Sequence, residues 1–244
     1  MNDICNLVIR EMEINPLIPV QFVKYTKYIL ENPDNGRYYE ALLETPSEVI
    51  RDIGYLFRDA GNIVGLSPKE LLEQSSFNKN DYDSSKISSL FAEFRAIIYL
   101  NIEGFTNIQI LQEEKIKRAD FCANKHSCKY AIEVTNAGYI AKRGRWRHND
   151  IVQLLLNKLE IEGKYKQLEK TRDKEGCDKM ALILVIDTLD KVALNLPYEY
   201  QNMLQDAWER FGKIDQLHLS IVTGRVSLGY GKDDVVFPEW QGDS

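Results

Sequence analysis

No stretch of this chain comes near the roughly 18 uninterrupted apolar residues that a membrane-spanning helix requires; the run from Ala181 to Ile186 is only strand-sized. The N-terminal MNDICNLVIREME lacks the basic-then-apolar order of a secretory signal. Cysteine is sparse and irregular: Cys5, Cys122, Cys128 and Cys177 form no CxxC pair, so a disulfide framework is not indicated. Cys122, His126 and Cys128 lie close together, but CxxxHxC is not a zinc spacing and no fourth ligand is near. A polar hairpin turn is the simpler reading. A phosphate-cradling glycine-rich loop, a nucleophile elbow and an HExxH helix are all missing, which leaves a small-molecule enzyme without support. These absences predict a soluble, cytoplasmic protein with no membrane association.

What is present is an ordinary globular composition: 244 residues, 44% hydrophobic and 28% charged, enough for one large domain or a core with an appendage. The formal net charge of −6 is unevenly spread. From Lys115 to Arg147 there are nine bases and two acids, a local excess of +7. A basic patch of this kind is the footprint of a phosphate-binding face, and its only acids are Asp120 and Glu133.

Residues 1–80 read as a helical region. Val20 to Leu30 has apolar residues at helical spacing and ends in Asn32-Pro33-Asp34-Asn35-Gly36; Tyr38 to Leu43 and Ser47 to Leu56 continue the pattern. Ser67 and Pro68 mark the N-cap and first position of another short helix. Asp52, Arg58 and Asp59 read as a solvated helix face. Gln74 to Ser85 is polar and turn-rich, the best candidate linker.

From residue 86 to 244 the pattern changes. A strongly apolar helix over Leu90 to Leu100 is interrupted by Glu93 and Arg95. Short strands are expected at Ile108–Leu111, Lys117–Cys122 and Tyr130–Asn136, with Ala123–Lys129 as a hairpin connection. A helix from Asp150 to about Lys170 follows, then a strand over Met180 to Asp187 buried on both faces. A helix over Tyr198 to Phe211 and a strand at Leu217–Val222 complete a mixed α/β sheet flanked by helices.

In the third strand, Ile132 and Val134 share one face while Glu133 and Thr135 share the other. A hairpin sets Asp120 beside Glu133. Two carboxylates so close repel unless a cation lies between them, and Mg²⁺ or Mn²⁺ suits such oxygen donors. Glu93 adds a third acid from an otherwise apolar helix face, or pairs with Arg95 or a lysine at the surface.

Helix with Glu93 (FAEFRAIIYL), a strand, Asp120 (KRADF), a hairpin, Glu133 (AIEVT) and a second helix: this order resembles the PD-(D/E)xK restriction-endonuclease-like nuclease superfamily over about a third of the chain. The resemblance implies a restriction-endonuclease-like core with Asp120 and Glu133 as metal ligands and Glu93 as an accessory ligand. The implied activity is metal-dependent hydrolysis of phosphodiesters, of DNA foremost. The superfamily's lysine position, however, holds Thr135. In some members that lysine has moved to the following helix, where Lys158 and Lys164 are candidates. Lys158 stands in the middle of the apolar stripe Ile151, Leu154, Leu155, Ile161 and Tyr165, and Lys164 precedes Gln167 by three residues. The alternative is a catalytically degenerate fold that binds nucleic acid or serves in assembly. Either way the loop after the third strand is the expected nucleic-acid contact, with Lys142, Arg143, Arg145 and Arg147 for phosphates and Trp146 for stacking. A homodimer is a further expectation.

Overall fold

The computed structural model describes residues 3–32, 37–78, 84–112, 117–136, 153, 157–158, 163–188, 217–225 and 235–237. Among the described residues, five helices come first: α1 (Asp3–Ile14), α2 (Val20–Glu31), α3 (Arg37–Glu44), α4 (Pro46–Val64) and α5 (Pro68–Gln74). The expected short helices over Val20–Leu30, Tyr38–Leu43 and Ser47–Leu56 are each present and longer. The third continues through Arg58 and Asp59 to the left-handed cap Gly65 (φ 73°), and Arg58 and Asp59 form an exposed pair there. Ser67 caps α5 with a complete capping box against Glu70, as its Ser-Pro-x-Glu sequence requires. α1, not singled out within the expected helical region, has a buried stripe of Cys5, Val8, Ile9 and Met12 at helical spacing.

Next comes α6 (Ser84–Ile102), the helix foreseen over Leu90–Leu100. A helix apolar on every side must be covered on every side, and from Leu90 to Leu100 each residue of α6 is buried, Glu93 and Arg95 included. Phe57 of α4 meets Phe94 with ring centroids 5.1 Å apart, and Phe22 of α2 meets Phe91 at 5.7 Å. One continuous core runs from Val8 through α6 to Val185.

Among the described residues the sheet has six strands in chain order: β1 (Thr106–Ile110), β2 (Phe121–Lys125), β3 (Cys128–Asn136), β4 (Lys179–Thr188), β5 (Leu217–Arg225) and β6 (Val235–Phe237). β1, β2 and β3 form the expected antiparallel meander; β4 joins β3 and β5 in parallel, and β6 closes antiparallel. Met180 to Val185 are fully buried, as a central parallel strand demands.

Three of the boundaries that differ from the sequence expectation bear on the site. β2 starts at Phe121 rather than Lys117, so Asp120 stands just before the strand, its carbonyl accepting from the Leu111 N–H at 2.8 Å. The β2–β3 connection is only His126 and Ser127, because Lys125 pairs with Cys128; His126 adopts φ 53° in the turn. Of the helix expected from Asp150 to about Lys170, most residues before Gly163 lie outside those described, and the described part runs past Lys170 to Glu175. Gly163 is left-handed (φ 71°), and α7 (Lys164–Glu175) begins immediately after it. A left-handed residue resets the helical phase, which changes which side chains face the sheet. α7 covers the sheet face opposite α6, burying Leu168 and Thr171. The expected helix over Tyr198–Phe211 lies outside the described residues.

Among the described residues no helix is long and apolar enough to cross a membrane.

Candidate functional site

Strand parity delivers Glu133 to the α7 side of the sheet. Phe121 is level with Ile132 in the antiparallel register, so Asp120 stands level with Glu133 one step further along. Asp120 is anchored through Oδ2, which accepts from the Val134 N–H at 2.6 Å. Glu133 is 1% exposed. Its Oε1 accepts from the Lys164 ammonium, and its Oε2 accepts from Gln167 Nε2 at 2.8 Å.

The first turn of α7 is thus aimed at the acidic pair. Lys164, Gln167, Leu168 and Thr171 fall at helical spacing along the face toward the sheet. Gln167 Nε2 also donates to the Arg118 carbonyl. Thr171 Oγ1 accepts from the Ala119 N–H and donates to the Gln167 carbonyl, both at 2.9 Å. These bonds hold the backbone on which Asp120 is carried.

Burial holds the Glu133 carboxyl well above the usual carboxylate range. The Asp120 carboxylate pushes the same way, Lys164 opposes by charge and hydrogen bond without cancelling the shift, and Glu93 adds to the rise. Asp120 and Glu93 are therefore each within electrostatic reach of Glu133, but Glu93 has its own partner. Its two oxygens take the N–H (3.2 Å) and the hydroxyl of Ser76. Glu93 and Arg95 are both buried, so neither stands at the helix surface. Ser76 belongs to the segment read from sequence as a linker, and no local signal marks it as a partner of α6.

Among the described residues no group of three or more His, Cys, Asp or Glu side chains stands ready to hold a metal ion. The closest approach to a metal donor set is the Asp120 and Glu133 carboxylates, oxygen donors of the kind hard cations take. Their mutual repulsion in a buried setting is what a divalent cation would relieve. Cys122, His126 and Cys128 form no such group either: Cys122 is buried, His126 exposed at the turn.

A cleft of about 680 Å³ opens beside these groups, lined among others by Ser76, Glu93, Lys117, Asp120, Lys164 and Gln167. Of the two lysines proposed to replace the one missing at Thr135, Lys164 makes the bond to Glu133. Lys158 is half-buried, and Thr135 is buried on β3. On a wheel continuous through Gly163, Lys164 lies less inward than Lys158; the left-handed Gly163 removes that objection to Lys164. Lys142, Arg143, Arg145, Trp146 and Arg147 lie outside the described residues.

No protein-family model matches the chain, and neither a curated protein nor a solved structure matches it. The class of the site therefore rests on its own residues and geometry.

Proposed function

We propose that the protein is a metal-dependent nuclease of the restriction-endonuclease-like kind, hydrolysing phosphodiester bonds in DNA with Mg²⁺ or Mn²⁺. The observation that carries this reading is Lys164 hydrogen-bonded to Glu133 next to Asp120. Asp120 and Lys164 line a cleft, and Lys164, supplied by the helix after the strand in place of Thr135, bonds to the buried Glu133.

Asp120 and Glu133 would hold the cation, with Glu93 as an accessory acid. When bound, it polarises a phosphoryl oxygen and lowers the pKa of a water. The chain's own residues supply the rest. Asp120 is oriented by the Val134 N–H, and Gln167 bridges Glu133 to the Arg118 carbonyl. Lys164 brings positive charge to the cleft wall, where it stabilises charge developing on phosphate. The basic sequence from Lys142 to Arg147 supports a nucleic-acid substrate by its charge.

A second reading has its own observation: both Glu133 oxygens are already taken by Lys164 and Gln167. That engagement suits a nuclease fold retained for nucleic-acid binding or assembly without cutting. Plasmid and oligonucleotide substrates incubated with Mg²⁺ or Mn²⁺ and the wild type, Asp120→Ala or Glu133→Ala separate the two. Metal-dependent cutting lost in both variants supports the nuclease. Intact nucleic acid bound equally by all three supports the binding protein.

A further inference from the structure

Cys122 and Cys177 take no part in the site above. Cys122 lies in β2 and is 1% exposed; Cys177 follows α7 and is half-buried. Both are free thiols, and their Sγ atoms are 3.5 Å apart across 55 residues of sequence. A disulfide needs a sulfur–sulfur distance of about 2.05 Å, so a small side-chain movement joins them.

The backbone around Cys177 is firmly placed for this encounter. Its N–H donates to the Arg172 carbonyl at 2.8 Å, and the Asp178 N–H donates to the Lys129 carbonyl at 2.8 Å. Lys129 returns two bonds, its N–H to Asp178 Oδ2 at 2.8 Å and its Nζ to the Glu175 carbonyl at 2.6 Å. The end of α7 is thereby tied to the start of β3, the strand paired with β2. The meeting of the thiols follows from the register of the sheet and not from one rotamer alone.

We propose that Cys122 and Cys177 form a reversible thiol-oxidation site, closed into an intramolecular disulfide by exchange with a small-molecule disulfide such as oxidised glutathione. Cys177 reacts first because it is the more exposed. Its thiolate attacks one glutathione sulfur, the Cys177–glutathione bond forms, the glutathione disulfide breaks, and one glutathione leaves and takes up a proton. Cys122 Sγ, its proton passing to solvent, then attacks Cys177 Sγ. The protein disulfide forms, the mixed disulfide breaks, and the second glutathione leaves as a thiol. Two protein thiols are oxidised and one disulfide is reduced to two thiols. The bond fastens the helix bearing Lys164, Gln167 and Thr171 to the strand that follows Asp120. None of this depends on the nuclease reading.

The full-length reduced protein is incubated with oxidised glutathione, quenched in acid, alkylated with N-ethylmaleimide under denaturing conditions and analysed by intact mass and peptide mapping. The wild type should yield a Cys122–Cys177 linked peptide carrying no glutathione, and dithiothreitol should restore both thiols. Cys122→Ser should stop at one glutathione on Cys177, and Cys177→Ser should give neither linkage nor modification of Cys122. Should the buried Cys122→Ser variant not fold, the wild type and Cys177→Ser still decide. A wild type in which both thiols remain alkylated overturns the proposal. So does a wild type in which glutathione persists on Cys177 without linkage.

Discussion

On one face of the sheet, Phe94, Ile97 and their buried neighbours on α6 share one core with Phe121, Tyr130, Ile132 and Ile183. On the other face, α7 has a sequence dominated by charge, KYKQLEKTRDKE, and buries only Leu168 and Thr171. It meets the sheet through Lys164 and Gln167 on Glu133 and through Thr171 on the Ala119 N–H. The α6 face removes apolar surface from water, the main favourable contribution to folding. The α7 face contains a buried carboxylate whose charged form burial disfavours, a composition better suited to chemistry than to stability. β3 serves both: Ile132 and Val134 belong to the first face, Glu133 and Thr135 to the second.

The contrast can be broken most severely at α6. Phe94→Ala removes a fully buried ring and should destabilise the protein by about 3–5 kcal/mol, read as a lowered urea midpoint. A loss under 1 kcal/mol would mean that the α6 face is not the main core. On the α7 face the largest effect should fall on activity. Lys164→Met is expected to lower the proposed metal-dependent cleavage about a hundred- to a thousand-fold, with Lys158→Met close to wild type. Equal losses in the two variants would remove Lys164 from its assigned role.

Thr171→Val keeps the shape but leaves the buried Ala119 N–H without its acceptor. A destabilisation of about 1–3 kcal/mol is expected, measurable by chemical denaturation. The subtlest test concerns charge. Glu133 has its folded pKa raised above its ordinary value of 4.5. Its contribution to stability is therefore present below the unfolded pKa and is lost as pH rises through the folded one. Glu133→Gln should abolish this part of the decline, so in EDTA the difference between variant and wild-type urea midpoints should grow as pH rises above about 4.5. Parallel curves for the two proteins would contradict the raised pKa.

Much of this arrangement is legible in residue order, because helical and strand periodicity are local. The all-round apolar run of α6, the capping box at Ser67 and the alternation through Glu133 each need only a few neighbouring residues to be recognised. Asp120 and Glu133 could be paired in advance because a hairpin makes a distant contact local. The choice between Lys158 and Lys164 could not be made this way. It depends on whether Gly163 adopts φ 71°, a conformation that glycine permits but does not compel. Thr171 could have been found on the stripe that contains Lys164 and Gln167, once that stripe had the right phase.

The amino-acid sequence by itself determined a helical first region, a mixed sheet after it and two acids on one side of a hairpin, since each follows from short-range sterics and the burial of apolar side chains. Only the tertiary structure decided that Lys164 bonds to Glu133, that Ser76 takes Glu93 and that Cys122 meets Cys177. The two cysteines are 55 residues apart, and the other two pairings span 31 and 17. Contacts over such separations are set by the packing of whole elements against one sheet, which no local pattern encodes.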